Sequence, residues 1–253
     1  MIVLNYHGTS ELGGGNANLH CLPITRFREQ MHHLKEPAYS VVPWQAMIAN
    51  SPISGNGISV GLTFDDGRKS DVESAMFLRS LGYSAMFFIA TKDISKAGYV
   101  DRNDIVELQR LGMGIGSHSH EHVQLKPLND ARVKDELTTS KRILEDILQT
   151  PVMQFAFPGG SYDARILDIA RQIGYRNFFT SDWGLNGTRH FAASVLCRTS
   201  ISNNVDITQF EALVKSRNYI RRRFGFYAKE LIKQYLGEDR YFKLRQTLIR
   251  LAR

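Results

Sequence analysis

Cysteine is scarce. Cys21 and Cys197 are the only two in 253 residues, and they form no CxxC pair. That excludes a disulfide framework and predicts free thiols in a reducing compartment. Long apolar runs are missing too: nothing approaches the ~20 residues of a membrane-spanning helix. The opening "MIVLNYHGTSELGG" has no basic segment before its four apolar residues. It therefore does not read as a secretion signal, and a cytoplasmic location is expected. Internal repeats, low-complexity linkers and recognisable nucleic-acid modules are absent, so no nucleic-acid partner is expected. What remains is ordinary globular composition, 43% hydrophobic and 23% charged. It is enough for one large α/β domain or two small ones.

Charge is spread unevenly. From Lys215 onward there are 12 Lys and Arg against 3 Asp and Glu, a balance of +9. Residues 1–214 hold 20 against 22, a balance of −2. The chain thus reads as a near-neutral body, 1–214, and a basic tail, 215–253. In the tail Tyr227, Leu231 and Tyr235 recur every fourth residue, as do Ala228, Ile232 and Leu236, until Gly237 interrupts. Basic residues interleaved with aromatics at helical spacing fit a helix on an anionic membrane surface, at the inner face of the cytoplasmic membrane. The plainer reading packs those stripes on the body and leaves the charges solvated.

Along the body, short apolar runs alternate with amphipathic stretches of about ten residues. "MIVLNYH", "YSVVP", "GISVGLTFDDG", "SAMFFIA", "MGIGSHSH", "PVMQFAFPGG", "YRNFFTSDW" and "VLCRTSI" read as strands. "ITRFREQMHHLKE" with Thr25 as N-cap, "WQAMIAN", "SDVESAMFLRSLG" closed by Gly82, "RNDIVELQRLG", "NDARVKDELTTSKRILEDIL" and "ARILDIARQIG" read as helices. Such alternation argues for parallel strands joined by crossovers. Six or seven units over about 200 residues fit a closed or nearly closed β/α barrel, with an open doubly wound sheet as the alternative. His7, Asp65, Asp66, His118 and Asp182 fall at C-terminal strand ends, the active-site end in either architecture.

Two of those ends carry the chemistry. In "TFDDG" the adjacent carboxylates point in different directions, so one can bind a metal while the other faces substrate. The bland alternative is a surface Asp-Asp-Gly turn. In "GIGSHSHEHVQL", His118 and His122 stand at i and i+4, where a helical turn or a tight loop lets two imidazoles reach one ion. With a carboxylate they form a two-histidine, one-acid set that leaves positions open for water and substrate. His120 reads as a solvated spacer.

These residues resemble a known family. "TFDDG", about fifty residues, "HSHEH" in the pattern His-Ser/Thr-x-x-His, then about thirty-five residues to a Pro-Gly turn is an order similar to that of the polysaccharide deacetylases. These are the NodB-homology domains of carbohydrate esterase family 4. "LNYHG" and "ITRFREQMHHLKEPAYSVVPWQAM" resemble the branch acting in bacterial extracellular polysaccharide synthesis, and the likeness spans roughly residues 1–203. It implies a distorted (β/α) barrel of the NodB type, here with a basic helical C-terminal extension. It implies hydrolysis of an acetamide on an amino sugar with one divalent metal ion, zinc first, with cobalt, nickel, manganese or iron as alternatives. Asp66, His118 and His122 are the implied ligands, and Asp65 the implied general base for the attacking water. The resemblance also implies an oxyanion-holding amide just after Pro158, at Gly159 or Gly160, where backbone can approach a sugar closely. Asp182 and Trp183 resemble the fourth motif, with Trp183 either an apolar wall or core. The expected partner is an N-acetylated glycan, polymeric or lipid-linked. A lipid-linked sugar deformylase, an O-deacetylase, or a non-catalytic glycan- or membrane-binding module are the alternatives.

Two departures from the family pattern stand out. Many members carry an arginine in the third motif that orients the base; here that place holds Ala156. The histidine that ends the fifth motif as general acid is also missing, and "VLCRTSI" puts Arg198 near its place, among the substrate-binding candidates. His7 is the replacement acid expected, ahead of His120 and His190.

Overall fold

The computed structural model describes residues 1–11, 20–49 and 57–216. The basic tail, with the helix and membrane contact expected of it, lies outside the described residues. In chain order the elements are β1 (Ile2–Tyr6), β2 (Thr9–Ser10), β3 (Leu22–Pro23), α1 (Ile24–His33), β4 (Tyr39–Val41), α2 (Trp44–Ile48), β5 (Ile58–Phe64), α3 (Asp71–Ser80), β6 (Met86–Ile89), α4 (Arg102–Arg110), β7 (Gly114–Ser117), α5 (Asp130–Leu148), β8 (Gln154–Ala156), α6 (Ala164–Ile173), β9 (Asn177–Phe179), α7 (Thr188–Ala193), β10 (Val195–Leu196), β11 (Thr199–Ser200) and α8 (Ile207–Val214).

The main sheet runs β10-β9-β8-β7-β6-β5-β1-β11, all parallel, with β4 beside the first half of β5. From β5 to β10 the spatial order follows the chain without the reversal a doubly wound sheet requires. The sheet curls instead into a nearly closed barrel. Its closure corrects one reading. "VLCRTSI" is not one strand but two short ones, β10 on one sheet edge and β11 on the other. At the break the Arg198 amide bonds the Asp182 carbonyl instead of continuing a ladder. The chain itself therefore spans the seam.

Local signals account for most helix ends. Gly82 closes α3 at φ +77, with the Tyr83 amide on the Leu78 carbonyl and the Gly82 amide on that of Arg79. Thr25 is not the cap of α1. That helix starts one residue earlier, and Pro23 holds the cap position at φ −55. The short β2–β3 pair, α7 and α8 were not legible, because each offers too few residues to establish a period.

Strand alternation sorts the side chains into two layers. Ile2, Leu4, Tyr6, Leu62, Phe64, Phe87 and Phe155 join the layer that also holds buried side chains of α1 and α3–α6. Val3, Met86, Phe88, Ala156, Phe179 and Leu196 form the inner layer with Val42, Met47 and Phe191. The next inward positions, two residues further along, are Asn5 and then His7, Thr63 and then Asp65, Ala90, His118, Pro158, Ser181 and Arg198. Apolar packing thus fills the bottom of the barrel, and its top is mostly polar.

The inner layer is tight. A Cβ on Gly116 would stand 2.5 Å from two atoms of the Phe88 ring and 3.1 Å from the Gln154 carbonyl oxygen. Gly116→Ala is therefore expected to destabilise the fold by about 1–3 kcal/mol through overpacking. Urea unfolding checks this, and an unchanged midpoint would show that Phe88 can yield.

Candidate active site

The polar end is built from strand termini. After β5 the chain turns sharply, with Asp66 at φ 78 and Gly67 at φ 71. The turn sends the two carboxylates in different directions. The Asp65 amide continues the ladder to the Tyr6 carbonyl, and its side chain goes into the barrel. Beyond the turn, Asp71 accepts the Arg68 amide at 2.9 Å and ties the loop to the start of α3. Gly8, at φ +92, leaves room for Arg68: a Cβ there would lie 2.9 Å from Arg68 Cγ.

Asp65 is almost wholly buried, and Arg198 grips it with both guanidinium nitrogens. Nη1 donates to Oδ1 at 2.7 Å and Nη2 to Oδ2 at 2.9 Å. The Asn5 amide donates to Oδ2 at 2.9 Å. Arg198 Nε donates to the Thr180 carbonyl, and Nη1 also reaches Asn5 Oδ1. Burial alone would raise the Asp65 carboxyl. The charge of Arg198, with His118 and His7, outweighs it and holds the group at about 2. Arg198 was expected among substrate contacts; with its side chain 1% exposed it is instead the partner of Asp65.

His118 follows β7. Its Nδ1 lies 2.8 Å from the Ala156 carbonyl, which only accepts, so Nδ1 carries the proton and Nε2 keeps a lone pair. That Nε2 stands 3.8 Å from both Asp65 Oδ2 and Asp66 Oδ1. The chain then reverses through left-handed Ser119 and His122, at φ 63 and 55. This brings His122 Nε2 to 3.2 Å from Asp66 Oδ1. Burial lowers the pKa of His118, whereas the bond to Asp66 raises that of His122. Burial opposes ionisation of Asp66, but the bond from His122 and the nearby imidazoles push its carboxyl well below the usual range. His120 turns away, with Nδ1 at 2.9 Å from Thr91 Oγ1.

One ligand atom each from Asp66, His118 and His122 lies within 4.8 Å of the others. Asp66 Oδ1 is buried and makes no well-aligned hydrogen bond, while Oδ2 is held by Arg68 at 3.1 Å. Donors around a tetrahedral zinc-sized ion stand about 3.3 Å apart. Asp66 Oδ1 stands 3.2 and 3.8 Å from the two imidazole nitrogens, close to that spacing, and those nitrogens lie within 4.8 Å of each other. The donor set fits a divalent metal.

His7 completes the inner wall. Its Nε2 is 4.0 Å from Asp65 Oδ2, its Nδ1 is buried without a partner, and burial, chiefly, lowers its pKa. The His20 ring lies 4.8 Å from that of His7. Of the expected substrate contacts, only Gly159 is among the described residues that line the open cleft, together with His7, His20, Arg68 and Ser181 around the acids and imidazoles. Pro158 is buried. Gly160 packs on Ser181, where a Cβ would come within 2.7 Å, and its amide bonds the Phe157 carbonyl. Asp182 accepts the Tyr162 hydroxyl at 2.7 Å and braces the seam through its carbonyl. Trp183 does not line the cleft. Arg68, His20 and Ser181 escaped the sequence reading. Inward parity at strand ends could have found Ser181; nothing local marks the other two.

A parallel barrel with a two-histidine, one-carboxylate cluster beside a second, arginine-held carboxylate has the form of a hydrolase centre. Comparison with known proteins makes the class specific. Residues 54–178 match the polysaccharide deacetylase family model. Bacillus subtilis YxkH is 24% identical over 217 residues, 85% of this chain and 76% of that protein. The chitooligosaccharide deacetylase of Azorhizobium caulinodans is 28% identical over 127 residues, 49% of this chain and 59% of that enzyme. The Streptococcus pyogenes deacetylase PplD, solved with acetate, superposes with a TM-score of 0.74 at 21% identity, covering 85% of this chain and 97% of that one. Residues 54–178 thus carry a polysaccharide deacetylase domain, the relatives support a NodB-homology deacetylase, and the superposition shows the fold of that class.

The Asp65–Arg198 pair yields a signed expectation. In the native chain Asp65 is held below its unfolded value, so it adds stability above that value and loses it as pH falls toward 2. In Arg198→Met, burial dominates, the carboxyl rises, and stability falls as pH rises. Breaking such a pair costs about 3–5 kcal/mol at neutral pH. The gap between the two proteins in urea unfolding is therefore expected to widen from pH 4 to pH 7. An equal gap at both would remove Asp65 as its source.

Proposed function

We propose that the chain is a divalent-metal-dependent N-deacetylase acting on an N-acetylated amino sugar, in a bacterial polysaccharide or a lipid-linked glycan precursor. The observation that carries this reading is the convergence of Asp66, His118 and His122 on one point beside the separately held Asp65. Asp66, His118 and His122 would hold the ion, zinc first. A bound ion supplies Lewis acidity, polarising the acetamide carbonyl and easing loss of a proton from the attacking water.

The remaining work falls to the chain. Asp65 is ionised across the working pH range, and its Oδ2 faces the cleft between His118 and His7. There it accepts the proton of water as the carbonyl carbon is attacked. Arg198 and Asn5 keep that carboxylate from rotating. The Gly160 amide is committed, so the Gly159 amide, without a protein acceptor among the described residues, is the donor for the developing oxyanion. His7, with Nε2 4.0 Å from Asp65 Oδ2, receives the proton that Asp65 takes from water and, as the imidazolium, gives it to the departing amine, which returns both groups to their starting forms. Water and acetamide then leave as acetate and free amine. A role in extracellular polysaccharide synthesis is supported by the "LNYHG" segment that brings His7 to the site.

The test is acetate release from N-acetylglucosamine oligomers. Chelation is expected to abolish it and added zinc to restore it. Asp65→Asn is expected to lower turnover by about 10²–10⁴-fold while zinc content stays at the wild-type level. An Asp65→Asn protein that still turns over would overturn the assignment of the base.

A further inference from the structure

We propose that Glu136 is a positioning residue for the metal loop: reaching in from α5, its carboxylate fixes the backbone that joins His118 to His122. The proposal rests on the metal reading of that loop. Val133, Glu136, Leu137, Ser140 and Leu144 form the buried stripe of α5. An apolar residue is the default at such a place, and a lone carboxylate there is costly. Glu136 is nevertheless 1% exposed.

Its bonds show where it is directed. Oε2 accepts two consecutive backbone amides, His120 at 3.0 Å and Glu121 at 2.8 Å. Oε1 makes no hydrogen bond and lies 3.6 Å from Arg132. One turn further along α5, Ser140 pairs with Ser117 Oγ at 2.8 Å, and that hydroxyl accepts the Ser119 amide. Two successive turns of one helix thus hold both halves of the loop. Arg132 and Lys92 grip Glu121 from outside at 3.0 and 2.6 Å.

The loop needs such a hold. Two of its residues other than glycine, Ser119 and His122, are left-handed, a conformation that persists only where the surroundings enforce it. Two amides converging on one oxygen make a small anion nest, and the Glu136 carboxyl oxygen answers both. Glu136 touches neither imidazole. It acts through the peptide units between them and so sets the angle at which His122 meets Asp66.

The experiment compares the full chain with Glu136→Leu, which keeps bulk but removes the acceptor, and Glu136→Gln, which keeps an uncharged acceptor. Zinc is titrated against a chromophoric chelator, and amide exchange is followed without metal. Glu136→Leu is expected to bind zinc about tenfold to a hundredfold more weakly, with Glu136→Gln between it and wild type. The His120 and Glu121 amides should exchange at least about tenfold faster in Glu136→Leu, while central amides of α5 keep their protection. If Glu136→Leu does not fold, faster exchange of the same two amides in Glu136→Gln decides the point. Wild-type exchange at both amides, or wild-type zinc affinity in Glu136→Leu, overturns the proposal. Failure of the wild-type chain to take up zinc would sink the metal reading instead, and the exchange comparison would still decide whether Glu136 holds the loop.

Discussion

At the barrel seam a buried carboxylate meets a buried guanidinium, and the upper end of the fold is organised around that pair. Arg198 sits where the chain crosses from β10 to β11. Its donors reach the Thr180 carbonyl beyond β9, Asn5 in β1 and Asp65 beyond β5. One side chain thus ties three strand ends across the opening. Removing two charges from water costs several kcal/mol each, and a well-packed apolar pair would close the seam as well or better. The pair therefore earns its place by position: it keeps an ionised carboxylate at a fixed angle in a site that would otherwise neutralise it.

That arrangement depends on the layer below. Glycines at 61, 114 and 116 share inward parity with Asp65 and His118. A Cβ on Gly61 would collide with Met47, and one on Gly114 with Met86 and Trp44. Small residues on these strands let large ones from neighbouring elements fill the bottom, and packing there leaves side chains little freedom. The polar groups two residues higher inherit that rigidity. His118 is the clearest case. The Ala156 carbonyl, at the end of the neighbouring strand, fixes both its orientation and its tautomer.

Most of the barrel was legible because period and punctuation agree. Helical stretches such as 71–80 and 130–148 carry long periodic patterns, and the strands are apolar runs ending in polar residues. The metal set was legible because its members are close in sequence, and Asp65 was legible as their neighbour. Arg198 was misread because its function depends on closure. Only when β10 and β11 land on opposite edges does an arginine in an apolar stretch come to face Asp65. Arg68 and His20 were missed for a related reason: each sits in a loop whose path depends on other loops. Glu136 lay inside a well-read helix. Its place on the apolar stripe was a local anomaly that a closer reading of that pattern would have flagged.

The two adjacent aspartates carry the argument to its smallest scale. They are chemically identical neighbours, and the left-handed turn at Asp66 is what separates them. Asp65 continues the strand and so points into the barrel, toward a guanidinium that occupies both its oxygens. Asp66 leaves the strand and points along the rim. There Arg68 holds one oxygen, and the other faces only the two imidazoles, His122 at 3.2 Å and His118 at 3.8 Å. A carboxylate gripped on both oxygens by a guanidinium is poorly placed to ligate an ion. One with an oxygen that faces only the fellow ligands is well placed to do so, through that oxygen alone. The neighbours of the pair thus divide its labour, because they determine which oxygens remain available.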